Sequence, residues 1–205
     1  MTNPYDPYGI GSVQNAFLMP IEDIFTIKHR GIVVTGRIER GRVQAGDTVD
    51  LVGIKEPIRQ AVIKEIEMFR KILPAAEAGN SVGCLLEKVQ PGDLERGQVL
   101  ASRGSIRAHK DFSAQLQMLA KEDGGRHTPF FDGYTASVRL HSVDIPGKVK
   151  LLYGMAMGVP GESFEVNIAL AVPVALEVGT QFTLREGGRA VGGGICTRID
   201  DAYPY

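Results

Sequence analysis

Apolar and polar residues alternate along most of this chain in short runs, each broken by Gly, Pro, Asn or Asp. A period of two turns one face of an extended segment inward and the other outward, so the pattern predicts many short antiparallel strands and little helix. In the first half the strands are expected at residues 21–27, 31–39, 48–54, 60–68, 81–87 and 98–101. In the second half they are expected at 111–119, 136–143, 149–152, 163–174, 180–186 and 190–198. Gln44-Ala45-Gly46-Asp47 and Arg185-Glu186-Gly187-Gly188-Arg189 read as hairpin turns, because glycine supplies the positive φ that tight turns require. Residues 71–77 are interrupted by Pro74 and followed by Gly79, which predicts a loop or a single turn. Asp144-Ile145-Pro146-Gly147 reads as a turn between strands.

Residues 102–110 carry Gly, Ser and His between the two strand sets, which places a domain boundary there. Six or so strands in each half suit a small closed barrel, an arrangement that leaves no sheet edge exposed. The expected fold is all-β: two packed antiparallel β-barrels of about six strands each, at residues 16–104 and 105–200. A flexible tail at 1–15 and a short tail at 201–205 flank them, both containing Tyr.

Length agrees with this division, since 205 residues make two domains of ordinary size, each able to bury a core without disulfides or metals. Lys and Arg number 23 against 24 Asp and Glu, so a formal charge of -1 gives no global field for collecting nucleic acid, and any RNA contact has to use a local patch. Cys84 and Cys196 fall in different halves without a metal-binding or redox spacing, and read as reduced packing cysteines. The N-terminus lacks a basic start and an apolar run of signal-peptide length, and no later stretch has the length and apolarity of a bilayer-spanning helix. A soluble, cytoplasmic protein with no membrane partner is expected.

Catalytic chemistry finds little support. The sequence has no G-x-x-x-x-G-K-[ST] phosphate loop and no Asn-Lys-x-Asp segment, and its loose D-x-x-G match at Asp144 is easily reached by chance. His29, His109, His127 and His141 lack ligand spacing, and no nucleophile elbow or acid pair is evident. No catalytic residue, metal or cofactor is expected, and the chain reads as a non-enzyme. Asp123-Gly124-Gly125-Arg126 and Glu186-Gly187-Gly188-Arg189 repeat an acid-Gly-Gly-Arg pattern. They read either as hairpin turns with solvated arginines, or as two turns that admit a phosphate backbone while each Arg donates to it.

Long ordered blocks carry a resemblance. The run Phe17-Leu18-Met19-Pro20-Ile21-Glu22-Asp23-Ile24-Phe25-Thr26-Ile27 resembles the opening of the second domain of translation elongation factor Tu. Val33-Val34-Thr35-Gly36-Arg37-Ile38-Glu39-Arg40-Gly41, Glu67-Met68-Phe69-Arg70-Lys71 and Glu95-Arg96-Gly97-Gln98-Val99-Leu100-Ala101 follow in that family's order. Gly124-Gly125-Arg126-His127-Thr128-Pro129-Phe130-Phe131, Val159-Pro160-Gly161 and Phe182-Thr183-Leu184-Arg185-Glu186-Gly187-Gly188-Arg189 are similar to its third domain. The GTP-binding domain has no counterpart in these residues, which implies a stand-alone relative without the nucleotide switch.

The resemblance implies a pocket for the acceptor end of aminoacyl-tRNA. Ile27, Val33 and Leu85 would contact the terminal adenine, Glu67 would accept a hydrogen bond from the ribose, and Arg70 would hold a phosphate. Glu22, Asp23, Phe25, Thr35 and Asn80 would surround the amino acid. These residue types suit the task, since a base needs flat apolar walls and a guanidinium fork matches a phosphate. Taken singly, Ile27, Val33 and Leu85 also read as plain barrel core.

In the third domain Arg126, Glu186 and Gly187 would approach the tRNA stem. Ser137 and Pro146 stand where the family commonly has Gln and Thr. Lys28, His29 and Arg30 form a possible basic rim, with His29 replacing a usual Gly; the same charges also read as a solvated barrel edge. The functional expectation is acceptor-end binding in a translational or regulatory role. The alternative is a protein-interaction module that docks on a translation factor or a separate GTPase domain without binding RNA.

Overall fold

A computed structural model describes residues 15–200; the tails at 1–14 and 201–205, with Tyr5, Tyr8, Tyr203 and Tyr205, lie outside the described residues. The chain divides into two compact units after Ile106. Except for two short 3-10 turns, Pro91–Asp93 and Lys121–Asp123, all regular structure among the described residues is strand.

Unit 1 contains β1 (Leu18–Pro20), β2 (Asp23–Ile27), β3 (Gly31–Arg37), β4 (Arg42–Gln44), β5 (Thr48–Val52), β6 (Arg59–Met68), β7 (Lys71–Leu73), β8 (Ala75–Glu77), β9 (Ser81–Glu87) and β10 (Val99–Ser102). The main sheet runs β1-β10-β5-β6-β9-β3-β2, with β7 added on β6 and a separate β4-β8 pair. Its two ends are consecutive in sequence. β1 pairs β10, the chain turns at Ile21-Glu22, and β2 pairs β3, with the Glu22 N–H donating to Thr35 O at 2.8 Å. Counting the bent β1-β2 segment once, six strands surround a core that includes Met19, Ile21, Val34, Leu51, Ile63, Ile66, Cys84 and Leu100. Gly36 makes the corner possible, since a Cβ there would lie 2.0 Å from Pro20 O.

Unit 2 contains β11 (Arg107–Met118), β12 (Phe130–Phe131), β13 (Tyr134–Leu140), β14 (Val143–Leu151), β15 (Met157–Gly158), β16 (Ser163–Leu176), β17 (Gln181–Glu186) and β18 (Arg189–Ile199). Six of them close a barrel in the order β11-β16-β14-β13-β17-β18, while β12 pairs β15 outside it. Alternation is strongest here: Phe112, Ala114, Leu116 and Met118 point inward on β11, and Phe164, Val166, Ile168 and Leu170 on β16. Phe112 meets Phe182 edge-on at 5.6 Å inside this barrel. The all-β, two-barrel expectation holds for both units.

Three local expectations are corrected. Residues 71–77 are not a loop: β7 pairs β6 and β8 pairs β4, and Pro74 stands between them where its missing N–H removes no ladder bond. The turn at Gln44–Asp47 exists, with Gly46 at φ 97°, but it joins no hairpin because β4 pairs β8 and β5 pairs β6. Asp144–Gly147 lies inside β14 and not at a turn. Pro146 is tolerated because it faces Ser137 on β13, while pairing with β16 begins only at Gly147. The reversal falls instead at His141-Ser142, where His141 takes φ 50°.

Candidate nucleic-acid interface

In a sheet, residues directly opposite one another across a ladder share a face. Phe25 pairs with Val33, Val33 with Leu85, and Leu85 with Glu65. The next row is Asp23, Thr35, Gly83 and Glu67. Both rows lie on the outer face, because the residues that alternate with them along the strands, Ile32, Val34, Val82, Cys84, Leu86 and Ile66, form the core. Ile27 extends the apolar row opposite Gly31. Seven of the expected residues, Asp23, Phe25, Ile27, Val33, Thr35, Glu67 and Leu85, thus share one outward surface on β2, β3, β9 and β6. Phe25 is 50% exposed and Ile27 40%, so neither is interior core. Leu85 faces outward by register yet is only 3% exposed, the floor of the surface. Gly83, with no side chain, leaves a depression beside Val33 and Thr35.

Glu67 is already engaged. Arg30 Nη2 donates to Glu67 Oε2 at 3.0 Å and to Glu65 Oε2 at 3.1 Å, and these two carboxylates hold the guanidinium above its ordinary pKa, Glu65 first. Lys28 and His29 are exposed in the β2-β3 turn beside it. His29 has φ 62°, a left-handed conformation that glycine adopts without strain.

Arg70 and Phe69 form the two-residue turn between β6 and β7, both left-handed at φ 62° and 51°. Arg70 is exposed and, among the described residues, has no hydrogen-bond or ion-pair partner, so its guanidinium is free for an anion. Phe69 is 90% exposed at the same tip. Glu22 is exposed at the β1-β2 corner, and Asp23 meets Arg96 at 3.5 Å. Asn80 is placed differently: its Oδ1 accepts from the Glu77 N–H at 3.1 Å and closes the β8-β9 turn.

In unit 2 the two acid-Gly-Gly-Arg segments meet through side chains. Arg126 donates to Glu186 and, at 3.3 Å, to Thr128 O, and lies over the Tyr134 ring at 4.9 Å from its centroid. Burial pulls this guanidinium down most strongly, but the hydrogen bonds and charges of Glu186 and Tyr134 together outweigh it, and the pKa stays above the ordinary value. The segments differ in shape. Glu186–Arg189 is a β17-β18 hairpin with Gly187 at φ 54° and Gly188 at φ 83°, open around both glycines. The earlier segment follows a 3-10 turn, and Gly125 is buried with no room for a Cβ, only 2.1 Å from Leu119 O. The reading of Glu186–Arg189 as a hairpin turn with a solvated arginine holds, while that of Asp123–Arg126 is corrected, because Arg126 is enclosed by its own neighbours. Ser137 sits between Arg185 and Pro146, a position where Pro146 offers no N–H.

Three residues of this surface were not anticipated: Glu65, Gly83 and Phe69. Gly83 had a signal, a glycine inside a strand pattern, which marks a place where something approaches closely. Glu65 and Phe69 become visible only with register and exposure.

Residues 31–101 match the family described as elongation factor Tu domain 2. Residues 105–200 match the elongation factor Tu C-terminal domain. With two barrels of the expected build, and both domain profiles matched in order along it, this chain belongs to the elongation factor Tu family.

Proposed function

We propose that this chain binds the acceptor end of aminoacyl-tRNA on the outer face of unit 1, without catalysis of its own, in a translational or regulatory role in the cytoplasm. The observation that carries the reading is the outward-facing apolar row Phe25-Val33-Leu85, exposed at Phe25 and covered at Leu85, lying beside the polar row Asp23-Thr35-Gly83-Glu67 on one barrel face. An adenine on Ile27, Val33 and Leu85 would gain an apolar platform, and its ribose hydroxyls would donate to Glu67. Arg70, unpaired at the β6-β7 tip, supplies a cation for phosphate, with Lys28 and His29 on the rim. Asp23 and Glu22 favour the free ammonium of the amino acid, and Phe25, Thr35 and Phe69 offer it walls. Asn80 contributes by shaping the turn that leads into β9.

In unit 2, the open Gly187-Gly188 turn lets a stem backbone approach, and Arg126 fixes Glu186 beside it.

A second reading, docking on a translation factor or a separate GTPase domain, is favoured by Phe131 and Met157. They pair across β12-β15 and are 65% and 50% exposed.

The test is a salt titration of aminoacyl-tRNA binding to Glu67→Ala and Arg70→Ala. A hydrogen bond to a charged group is worth about 1.5–3 kcal/mol, so Glu67→Ala should weaken binding roughly tenfold or more at every salt concentration. Arg70→Ala should reduce the slope of log K against log salt by about 0.7–1. Folded variants that bind as well as the parent, with the same slope, overturn the reading.

A further inference from the structure

The floor residue Leu85 presents a puzzle of exposure. Its register with Val33 and Glu65 puts it on the outward face, yet it is 3% exposed, while Phe25 in the same row is 50% exposed. Something on the outer face covers it. Arg30 leaves the β2-β3 turn and ends on Glu65 and Glu67, both on β6, so its arm spans β9, the strand that carries Leu85 between β3 and β6. A Cβ on the neighbouring Gly31 would lie 3.3 Å from Leu85 Cδ1, so the backbone next to Arg30 lies against the leucine. The methylenes of a long cationic side chain commonly lie on apolar surface in this way while the charged head stays wet.

We propose that Arg30 is a strap over the base-binding floor, and that Glu65 is the positioning residue that lets the strap open. The proposal rests on the acceptor-end reading of this face. In the free protein one guanidinium nitrogen is shared between two carboxylates on alternate residues of β6, at 3.0 and 3.1 Å. A nucleoside that takes Glu67 through its ribose hydroxyls replaces only one of those two bonds. Glu65 keeps Arg30 paired, so the cation is not stranded when it moves off Leu85. Without Glu65, the ligand has to break the only pair that Arg30 has on β6. Glu65 thereby favours ligands that bring hydroxyl donors to Glu67 and a flat apolar ring to Leu85. That chemistry is a nucleoside's and not that of a simple anion, for which two carboxylates are repulsive.

The consequence is a pair of effects of opposite sign at residues in direct contact. Adenosine, which carries no phosphate and so does not depend on Arg70, is the probe, with binding followed by chemical-shift titration of the whole chain. Arg30→Ala uncovers Leu85 and frees Glu67, and should tighten adenosine about threefold to tenfold, the range that one or two exposed ion pairs provide. Glu65→Gln should weaken it by a similar factor, because Arg30 then holds Glu67 alone. The double variant should behave like Arg30→Ala, since Glu65 acts only through the strap. A residue with a merely structural part would weaken binding in every variant and lower the unfolding temperature along with it. Arg30→Lys checks the reach: its single ammonium sits on a shorter side chain that falls short of the two carboxylates across β9, and adenosine should bind more tightly than to the parent.

If the parent binds adenosine and Arg30→Ala binds it equally or less well, the strap is wrong and the acceptor-end reading stands. If neither the parent nor Arg30→Ala binds adenosine, the base site itself is wrong and the strap falls with it.

Discussion

The β6-β7 turn sets two ordinary L-residues, Phe69 at φ 51° and Arg70 at φ 62°, where hairpins favour Asn and Gly. A left-handed conformation costs a residue with a Cβ about 1–2 kcal/mol. Phe69 recovers little of this by burial, being 90% exposed. Replacing the pair by Phe69→Asn with Arg70→Gly should relieve most of that strain. Glycine gives back about 0.4–1 kcal/mol through the greater freedom of the unfolded chain. The net gain is about 1–2 kcal/mol, and for a unit of this size each kcal/mol raises the melting temperature by roughly 4–8 °C. Calorimetry of the parent and the double variant measures it directly. The same change removes the free cation and the exposed ring, so the affinity for the tRNA acceptor end should fall as stability rises. Strain kept at a binding site for its chemistry predicts this trade. An unchanged or lowered melting temperature would refute the turn geometry, and unchanged binding would refute its purpose.

Gly36→Ala should destabilise unit 1 by about 3 kcal/mol or more, since its Cβ would lie 2.0 Å from the Pro20 carbonyl oxygen at the corner that closes the sheet; chemical denaturation checks it. Burial pushes the Cys84 thiol up to about 12, so the native protein should resist alkylation there at neutral pH and react only on unfolding. The native state holds that proton while the unfolded chain loses it near its ordinary value of 9.0. Stability should therefore fall as pH rises from about 9 towards 12, which unfolding curves across that range would show. The 205-residue chain should neither bind nor hydrolyse GTP, as it has neither a phosphate loop nor a guanine-reading segment; saturable binding by calorimetry would contradict this.

Long alternating strands were legible because burial imposes the period of two: Ser81–Glu87 was read to the residue, and β3, β5, β6, β16 and β17 to within two residues at each end. The strands of two or three residues were not, since β1, β4, β7, β8, β12 and β15 are too short for any period to show. Pro146 misled by composition. A proline signals a turn in the absence of pairing information, and only the ladder shows that its missing N–H faces an unpaired side. The proposed binding face was legible through resemblance and not through chemistry, because Val33 and Leu85 in isolation are ordinary barrel residues. The hold of Arg30 on Glu65 and Glu67 depends on which strands are neighbours across the sheet, 35 and 37 residues apart in the chain, and no local pattern encodes that.

The central claim is that the outer face of unit 1 reads a charged acceptor end. Its most direct test is the ratio of affinities for aminoacyl-tRNA and the same tRNA without its amino acid, measured at low salt. Asp23, Glu22 and the walls around them make contacts only when the amino acid is present, so the charged form should bind more tightly, and Glu67→Ala should weaken the binding of both. Equal affinities for charged and uncharged tRNA, in a folded protein, would contradict the account.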